Sequence, residues 1–301
     1  MVWVRGPAFR ALTMPSPDPP VFPRIAIVGL GLVGGSIAFG ARRAWPSTHV
    51  TAIDREPVMR EALSRRAIDA AADDLASVAD ADLIVLSAPV RQNIALLRSV
   101  AAHASPAAVI TDVGGTKRAI VAAAAALSPP VTFVGGHPLG GGARGGFEFA
   151  TGSLFARRPW ILAPHDAAGG EVVGRLSAFV TGLGAHPATM TASEHDRLMA
   201  VISHLPQLAT TALMEVVGTA ATASGLRMAG QGLVDTTRLA SSPADVWRDI
   251  CATNADEIRK ALDLLIERLS EMRSDLQRVE MIDAVFDDAA RWRAELLKGR
   301  D

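Results

Sequence analysis

The architecture of this chain follows from Arg24-Ile25-Ala26-Ile27-Val28-Gly29-Leu30-Gly31-Leu32-Val33-Gly34-Gly35-Ser36. Ile25 to Val28 is an apolar run as long as one buried parallel strand. Gly29, Gly31 and Gly34 then form G-x-G-x-x-G, and Ser36 to Ala44 continue as a helix. Each glycine has a mechanical task. The first makes the tight turn, the second lets a pyrophosphate approach the backbone, and the third lets helix and strand pack closely. The helix start offers free N–H groups and a positive dipole end to phosphates. Asp54 arrives twenty residues after Gly34 and closes a second apolar run, Val50 to Ile53. An acid there accepts from a ribose 2′-hydroxyl and repels a 2′-phosphate, which favours NAD; the neighbouring Arg55 keeps NADP open. Gly29, Gly31, Leu32, Val33, Gly34 and Asp54 are therefore the first cofactor-binding candidates.

Further along, strands and helices alternate. Helical spacing over 56–67 is followed by a buried strand, Asp82 to Ser87, and a helix opened by Pro89. Ala108 to Thr111 is the next strand, leading into Asp112-Val113-Gly114-Gly115-Thr116-Lys117 and the alanine-rich helix. Val131 to Val134 is another, leading into Gly135-Gly136-His137-Pro138. This alternation predicts an α/β doubly wound parallel sheet of the Rossmann kind. Loops after the strand carboxyl ends share one rim in such a sheet, and ligands bind there. The glycine loop, Ser87 to Pro89, Asp112 to Lys117 and His137 should therefore converge. Ser87, Pro89, Asp112 and Gly114 join the cofactor candidates on that ground.

Gly140 to Gly146 is so poor in side chains that it reads as a lid or as backbone pressed against a ligand. Residues 159–163 and 186–190 read as late strands around a helix over 171–180. From about Ser193 only helical periodicity remains. Pro206 should kink the helix over 194–218, and helices through Trp247 and through Leu262, Leu265, Ile266 and Leu269 follow. The expected organisation is a disordered, proline-rich leader over 1–23, a dinucleotide-binding domain over 24–190 and an all-α domain over 191–301. The apolar stripes of the last predict burial against a second subunit.

Composition narrows the partners. With 30 basic and 31 acidic residues among 301 and a net charge of −1, the chain lacks the electrostatic footprint of a nucleic-acid binder. Its single cysteine, Cys251, excludes an internal disulfide and suits a reducing cytoplasm. Uninterrupted apolar runs are shorter than a membrane span, so no membrane partner is expected. No metal is implied.

With these motifs assembled, the chain resembles the prephenate dehydrogenase family, which includes arogenate (cyclohexadienyl) dehydrogenases. The resemblance rests on Gly29 to Ser36, Asp112 to Lys117, Gly135-Gly136-His137-Pro138-Leu139, His195-Asp196, Ser203-His204-Leu205-Pro206, Asp235-Thr236-Thr237-Arg238 and Trp247-Arg248-Asp249-Ile250. It implies a Rossmann domain, a helical dimerisation domain and NAD(P)-dependent oxidative decarboxylation of a small cyclohexadienyl substrate in tyrosine biosynthesis. By the same resemblance His137 is the catalytic histidine that accepts from the ring hydroxyl, and Arg238 binds the ring carboxylate. Ser203 and His204 lie on the substrate-side helix, and Trp247 lines the site from a neighbouring subunit or serves as a core tryptophan. The alternatives to these roles are a surface ion pair of Arg238 with Asp235 or Asp245, and a core histidine at 204.

The chain departs from the family pattern in three places. Gly115 stands where many members have serine, with Thr116 next door as a substitute substrate contact if the loop is rotated. Gly142 and Ala143 stand where a hydroxyl and an acid are frequent. Gln207 replaces a second histidine and stays a substrate-binding candidate, since it keeps the hydrogen bonding without the charge. Two other readings remain: a reductase of the β-hydroxyacid dehydrogenase type, opposed by the lack of lysine over 194–214, and a catalytically silent NAD-binding regulatory protein.

Overall fold

A computed structural model describes residues 19–128, 131–141, 144–165 and 169–298. The chain divides into two units between Thr191 and Ala192.

Within the first unit, eight strands line up in the order β3-β2-β1-β4-β5-β6-β7-β8 among the described residues. They are β1 (Arg24–Val28), β2 (His49–Ile53), β3 (Ala70–Ala72), β4 (Leu83–Leu86), β5 (Val109–Asp112), β6 (Thr132–Pro138), β7 (Pro159–Pro164) and β8 (His186–Thr189). Helices α1 (Leu32–Ala44), α2 (Glu56–Ser64), α3 (Val90–His103), α4 (Arg118–Ala125) and α5 (Gly170–Gly182) connect them. Strands β1 to β6 pair in parallel.

The alternation of strand side chains explains why these strands read as continuous apolar runs. Ile25, Ile27, Leu83, Val85 and Val109 pack on one face with Ile37 and Ala41 of α1 and Phe179 of α5. Ala26, Val28, Ile84, Leu86 and Ile110 pack on the other with Leu97 of α3 and Ile120 of α4. Both faces are buried at the centre of the sheet, where residues 25–28 of β1 and Leu83–Leu86 of β4 are apolar throughout.

The structure amends three expectations here. The sheet is not parallel throughout: β7 runs antiparallel to β6, with Gly136 opposite Leu162 and His137 opposite Ile161. Among its described residues the connection between them holds a single 3₁₀ turn (Phe147–Phe149) and no crossover helix, and the chain returns in the reverse direction. Strand β6 also continues through His137 to Pro138, because pairing with β7 overrides the weak strand preference of Gly135-Gly136. Finally, the end of the expected leader belongs to the fold. Phe22 is buried, its ring meets Phe179 edge-on at 5.7 Å, and Arg175 donates to the Val21 carbonyl at 3.4 Å. Residues 1–18 lie outside the described part.

Six helices make up the second unit among its described residues: α6 (Ala192–Met199), α7 (Leu205–Leu226), α8 (Gln231–Thr236), α9 (Ala244–Thr253), α10 (Ala255–Ser274) and α11 (Val279–Leu297). A π-helical turn, Ala200–His204, joins α6 to α7. The expected kink at Pro206 takes this form: proline lacks the N–H and crowds the preceding turn, which the wider π geometry accommodates. The unit's own core is small, Ala200, Ile250, Ile258 and Ala261 with Leu205, Leu208 and Trp247 around them. Phe286 and Trp292 of α11 are each 65% exposed, and no residue of α11 is buried.

The helical run Ala192–Leu226 is long and apolar enough to cross a membrane by length and mean hydropathy (1.2) alone, although no uninterrupted apolar stretch in it is that long. Thr222 interrupts it with φ +60° and ψ 174°, and its buried members include the polar side chains His195, Asp196, His204 and Gln207. The apolar residues of this run are largely on the outside.

Candidate active site

Three loops of the first unit meet at the carboxyl ends of β1, β4, β5 and β6. Gly29 has φ +101°, and a Cβ there would lie 2.8 Å from the Ser87 carbonyl carbon. A Cβ on Gly34 would lie 2.0 Å from the Gly29 carbonyl oxygen and 3.0 Å from Ser87 Oγ. Both glycines are thus required by the protein itself. Gly31 is different, since a Cβ there would meet no atom within 4 Å. Its reason for being glycine is open space above the start of α1, whose first N–H groups carry no side-chain cap. That is the cradle a pyrophosphate needs. Leu32 and Val33 form the first turn of α1 behind it.

Asp54, just past β2, accepts from the Leu30 N–H at 2.5 Å and from the Arg55 N–H at 2.6 Å. The Arg55 side chain is exposed. Ser87 Oγ is buried and has no hydrogen-bond partner among the described residues. An orphaned hydroxyl against the glycine loop is a site for a ligand acceptor or donor, since burying it unpaired costs free energy. Pro89 caps α3 and is exposed. Fully buried Asn93 holds this loop, donating to the Leu86 carbonyl at 3.1 Å and accepting from the Ala88 N–H at 3.0 Å.

The Asp112 carboxylate is fully buried. It accepts from the Gly114 N–H at 2.8 Å and the Gly136 N–H at 3.1 Å, and it pairs with the equally buried Lys117 ammonium. Lys117 in turn donates to the Gly136 carbonyl at 2.7 Å. A Cβ on Gly136 would lie 2.4 Å from the Asp112 carbonyl oxygen, so β5 and β6 approach closely here. The next residue is His137, half-buried and paired across to β7. Asp112 was expected to bind cofactor; its side chain has no accessible surface and shapes the rim only through the backbone it holds. Thr116 is likewise fully buried. It is not turned outward to substitute for the missing hydroxyl at Gly115, because the Lys117–Asp112 pair fixes the loop.

In the helical unit, Ser203 is half-buried and His204 is buried, both in the π turn. His195 Nδ1 lies 2.8 Å from Asp196 Oδ1. Asn254 Nδ2 donates to the Asp196 carbonyl at 2.8 Å and faces His204 Nδ1 at 3.4 Å. A carbonyl only accepts, so this contact fixes which side of the Asn254 amide is nitrogen and leaves His204 Nδ1 as the acceptor. Burial lowers the His204 pKa to about 4, with the nearby Asp196 charge opposing and His195 adding. Trp247 meets the ring edge-on at 6.0 Å. His204, expected on the substrate-side helix either in contact with substrate or as a core histidine, is almost fully buried within its own unit.

Gln207 is also buried and bonded within its own unit, to Leu239, Thr211 and Ser242. Arg238 opens a 3₁₀ turn (Arg238–Ser241) and is exposed. It forms no ion pair with Asp235 or Asp245; Asp235 accepts from Gln231 instead. Gly142 and Ala143 lie outside the described residues.

Residues 37–189 match the family described as prephenate dehydrogenase, nucleotide-binding domain, and residues 191–286 match prephenate dehydrogenase, dimerization domain. The prephenate dehydrogenase of Bacillus subtilis (strain 168) is 33% identical over 260 residues, covering 84% of this chain and 70% of the relative. The chain belongs to the prephenate dehydrogenase family.

A cyclohexadienyl dehydrogenase of that kind from Zymomonas mobilis is 30% identical, covering 84% of this chain and 88% of the relative. The crystal structure of A. aeolicus prephenate dehydrogenase with hydroxyphenyl propionate and NAD+ superposes with a TM-score of 0.83 at 27% identity, covering 95% of this chain and 100% of that one. Against this family background, reasoning from sequence missed Lys117, Asn93 and Asn254. Lys117 carried a signal, a lysine five residues beyond an acid across a glycine turn. The two asparagines carried none: Asn93 bonds to the backbone of Leu86 and Ala88 just before its helix, and Asn254 reaches Asp196 and His204, 58 and 50 residues away.

Proposed function

We propose that this chain catalyses the NAD-dependent oxidative decarboxylation of prephenate, or of its amino counterpart arogenate, to 4-hydroxyphenylpyruvate or tyrosine. The reading rests on one observation above the others: His137 lies at the carboxyl end of β6, the same edge of the sheet at which β1 gives way to the glycine loop, and directly follows Gly136, whose backbone is held by two buried, oppositely charged side chains.

The substrate ring carries a hydroxyl and a hydrogen at one carbon and a carboxylate at the opposite carbon. The nicotinamide, when bound, supplies the acceptor for the ring hydride. The residues fit it: open space at Gly31, uncapped N–H groups at α1, Asp54 at the ribose position and the unpartnered Ser87 hydroxyl. His137 accepts a hydrogen bond from the ring hydroxyl and takes part of the positive charge that grows on that oxygen as hydride leaves. The carbon–carboxylate bond then gives its electron pair to the ring, CO2 departs, and aromatisation draws the step downhill. Arg238, exposed and without an ion-pair partner among the described residues, anchors the carboxylate; a planar guanidinium fork matches its two oxygens. Ser203, half-buried on the π turn, adds a polar contact to the substrate in this reading.

The working form is a homodimer joined through the helical unit. The exposed Leu264, Ile266, Leu269, Phe286 and Trp292 form more apolar surface than a lone soluble helical unit leaves to water. Small molecules are the only other partners in this reading, without nucleic acid or membrane, and the setting is the cytoplasm. Absorbance of NADH on mixing the protein and NAD with prephenate or with arogenate tests the activity. Production with either substrate supports it; NAD binding without turnover of either marks a silent binding protein.

A further inference from the structure

We infer that Gln207 is a positioning residue for substrate: its side-chain amide brackets the turn that carries Arg238 and thereby sets where the guanidinium stands. This rests on the reading of Arg238 as the carboxylate anchor.

The turn Arg238–Ser241 holds itself together weakly. It has no buried residue, and its own bonds are local, Ala240 N–H to the Thr237 carbonyl at 2.9 Å and Ser242 N–H to the Leu239 carbonyl at 3.0 Å. Something else must fix it to the long helix. Gln207 is the buried residue of α7, and it reaches both sides of the turn. Its Nε2 donates to the Leu239 carbonyl at 2.7 Å, one residue after Arg238. Its Oε1 accepts from Ser242 Oγ at 3.1 Å, just beyond the turn. The carbonyl can only accept, so the amide orientation is not open to reversal.

The remaining Nε2 hydrogen goes to Thr211 Oγ1 at 3.2 Å, and that hydroxyl donates to the Gln207 carbonyl at 2.9 Å. The side chain is therefore locked on its own helix as well. Between the Leu239 carbonyl and the Ser242 hydroxyl this side chain donates on one side and accepts on the other. An amide provides this at every working pH, whereas an imidazole changes its donor count as it titrates. Gln207 thus answers the departure noted in the sequence: the residue serves the arginine's backbone and does not itself meet substrate.

The experiment compares steady-state kinetics of Gln207→Leu, Ser242→Ala, the double variant, Arg238→Gln, and Gln207→Leu combined with Arg238→Gln. Gln207→Leu should raise the substrate KM about 10-fold, as expected for losing buried hydrogen bonds, with kcat and the NAD KM within about twofold. Ser242→Ala, which removes one contact from a half-buried serine and keeps the fold, should raise KM roughly threefold. The double variant should match Gln207→Leu alone, because both changes open the same bracket. In the Arg238→Gln background, Gln207→Leu should add nothing. Unchanged KM in both Gln207→Leu and Ser242→Ala, while Arg238→Gln raises it, overturns the inference, as do effects that add fully in the double variant. Unchanged KM in Arg238→Gln removes the carboxylate anchor itself, and this inference falls with it.

Discussion

Lys117 and Asp112 form an ion pair with no accessible surface, and both also grip Gly136, the residue before His137. A buried pair of this kind is costly to desolvate, and backbone contacts offset that cost: Asp112 accepts from the Gly114 and Gly136 N–H groups, and Lys117 donates to the Gly136 carbonyl. Its location makes it a brace for the imidazole's strand.

Breaking that brace on one side should be severe. Lys117→Met leaves an unpaired buried carboxylate and should cost roughly 3–5 kcal/mol of stability. Urea denaturation of the variant checks the magnitude. Wild-type stability in Lys117→Met would mean that Asp112 is not held as a charge.

Replacing His137 separates chemistry from cofactor binding. His137→Asn should lower kcat by roughly 10²–10⁴-fold, the usual worth of a positioned acid–base group, and leave the NAD dissociation constant within about twofold. Stopped-flow turnover with fluorescence titration of NADH reads both. A variant with full turnover would remove His137 from the mechanism.

The glycines of the first turn should divide into two kinds. Gly34→Ala places a methyl 2.0 Å from the Gly29 carbonyl and should destabilise the fold. Gly31→Ala meets nothing in the protein, so its melting temperature should stay near wild type. NAD affinity in Gly31→Ala should fall about 10-fold or more, because the added methyl occupies the approach of the pyrophosphate. Thermal melts alongside NAD titrations distinguish the two; unaltered affinity in Gly31→Ala would place the cofactor elsewhere.

His204 should make the protein acid-sensitive. Its folded-state pKa of about 4 lies below the value of an unfolded imidazole, so the unfolded chain binds the proton first as pH falls. Stability is unaffected by this residue above about pH 6.5 and declines between there and pH 4, by at most about 1.4 kcal/mol per pH unit. Urea midpoints at pH 7, 6 and 5 for wild type and His204→Gln measure it. Equal slopes in the two proteins would exclude His204 as the source.

The local code of this chain was legible as far as periodicity and glycine reach. Short apolar runs announced β1, β2, β4 and β5, because strands near the centre of a sheet covered on both faces are built mainly from apolar residues. The same loops announced the rim and His137. Strand β3 escaped, since Ala70–Ala72 is as good in a helix as in a sheet. Gln207, His204, Thr116 and Asp112 were recognisable as polar residues in suggestive motifs, yet which way each side chain turns depends on partners dozens of positions away.

By itself, then, the order of residues determined the alternation of elements, the nucleotide-binding turn and the switch to an all-helical second half, all of them consequences of neighbours three or four places apart. Only the tertiary structure decided that Lys117 and Asp112 close on Gly136, that β7 reverses, and that Gln207 seizes the Arg238 turn. Those outcomes belong to contacts between distant segments, where burial and hydrogen-bond geometry choose among side chains that local spacing leaves equivalent.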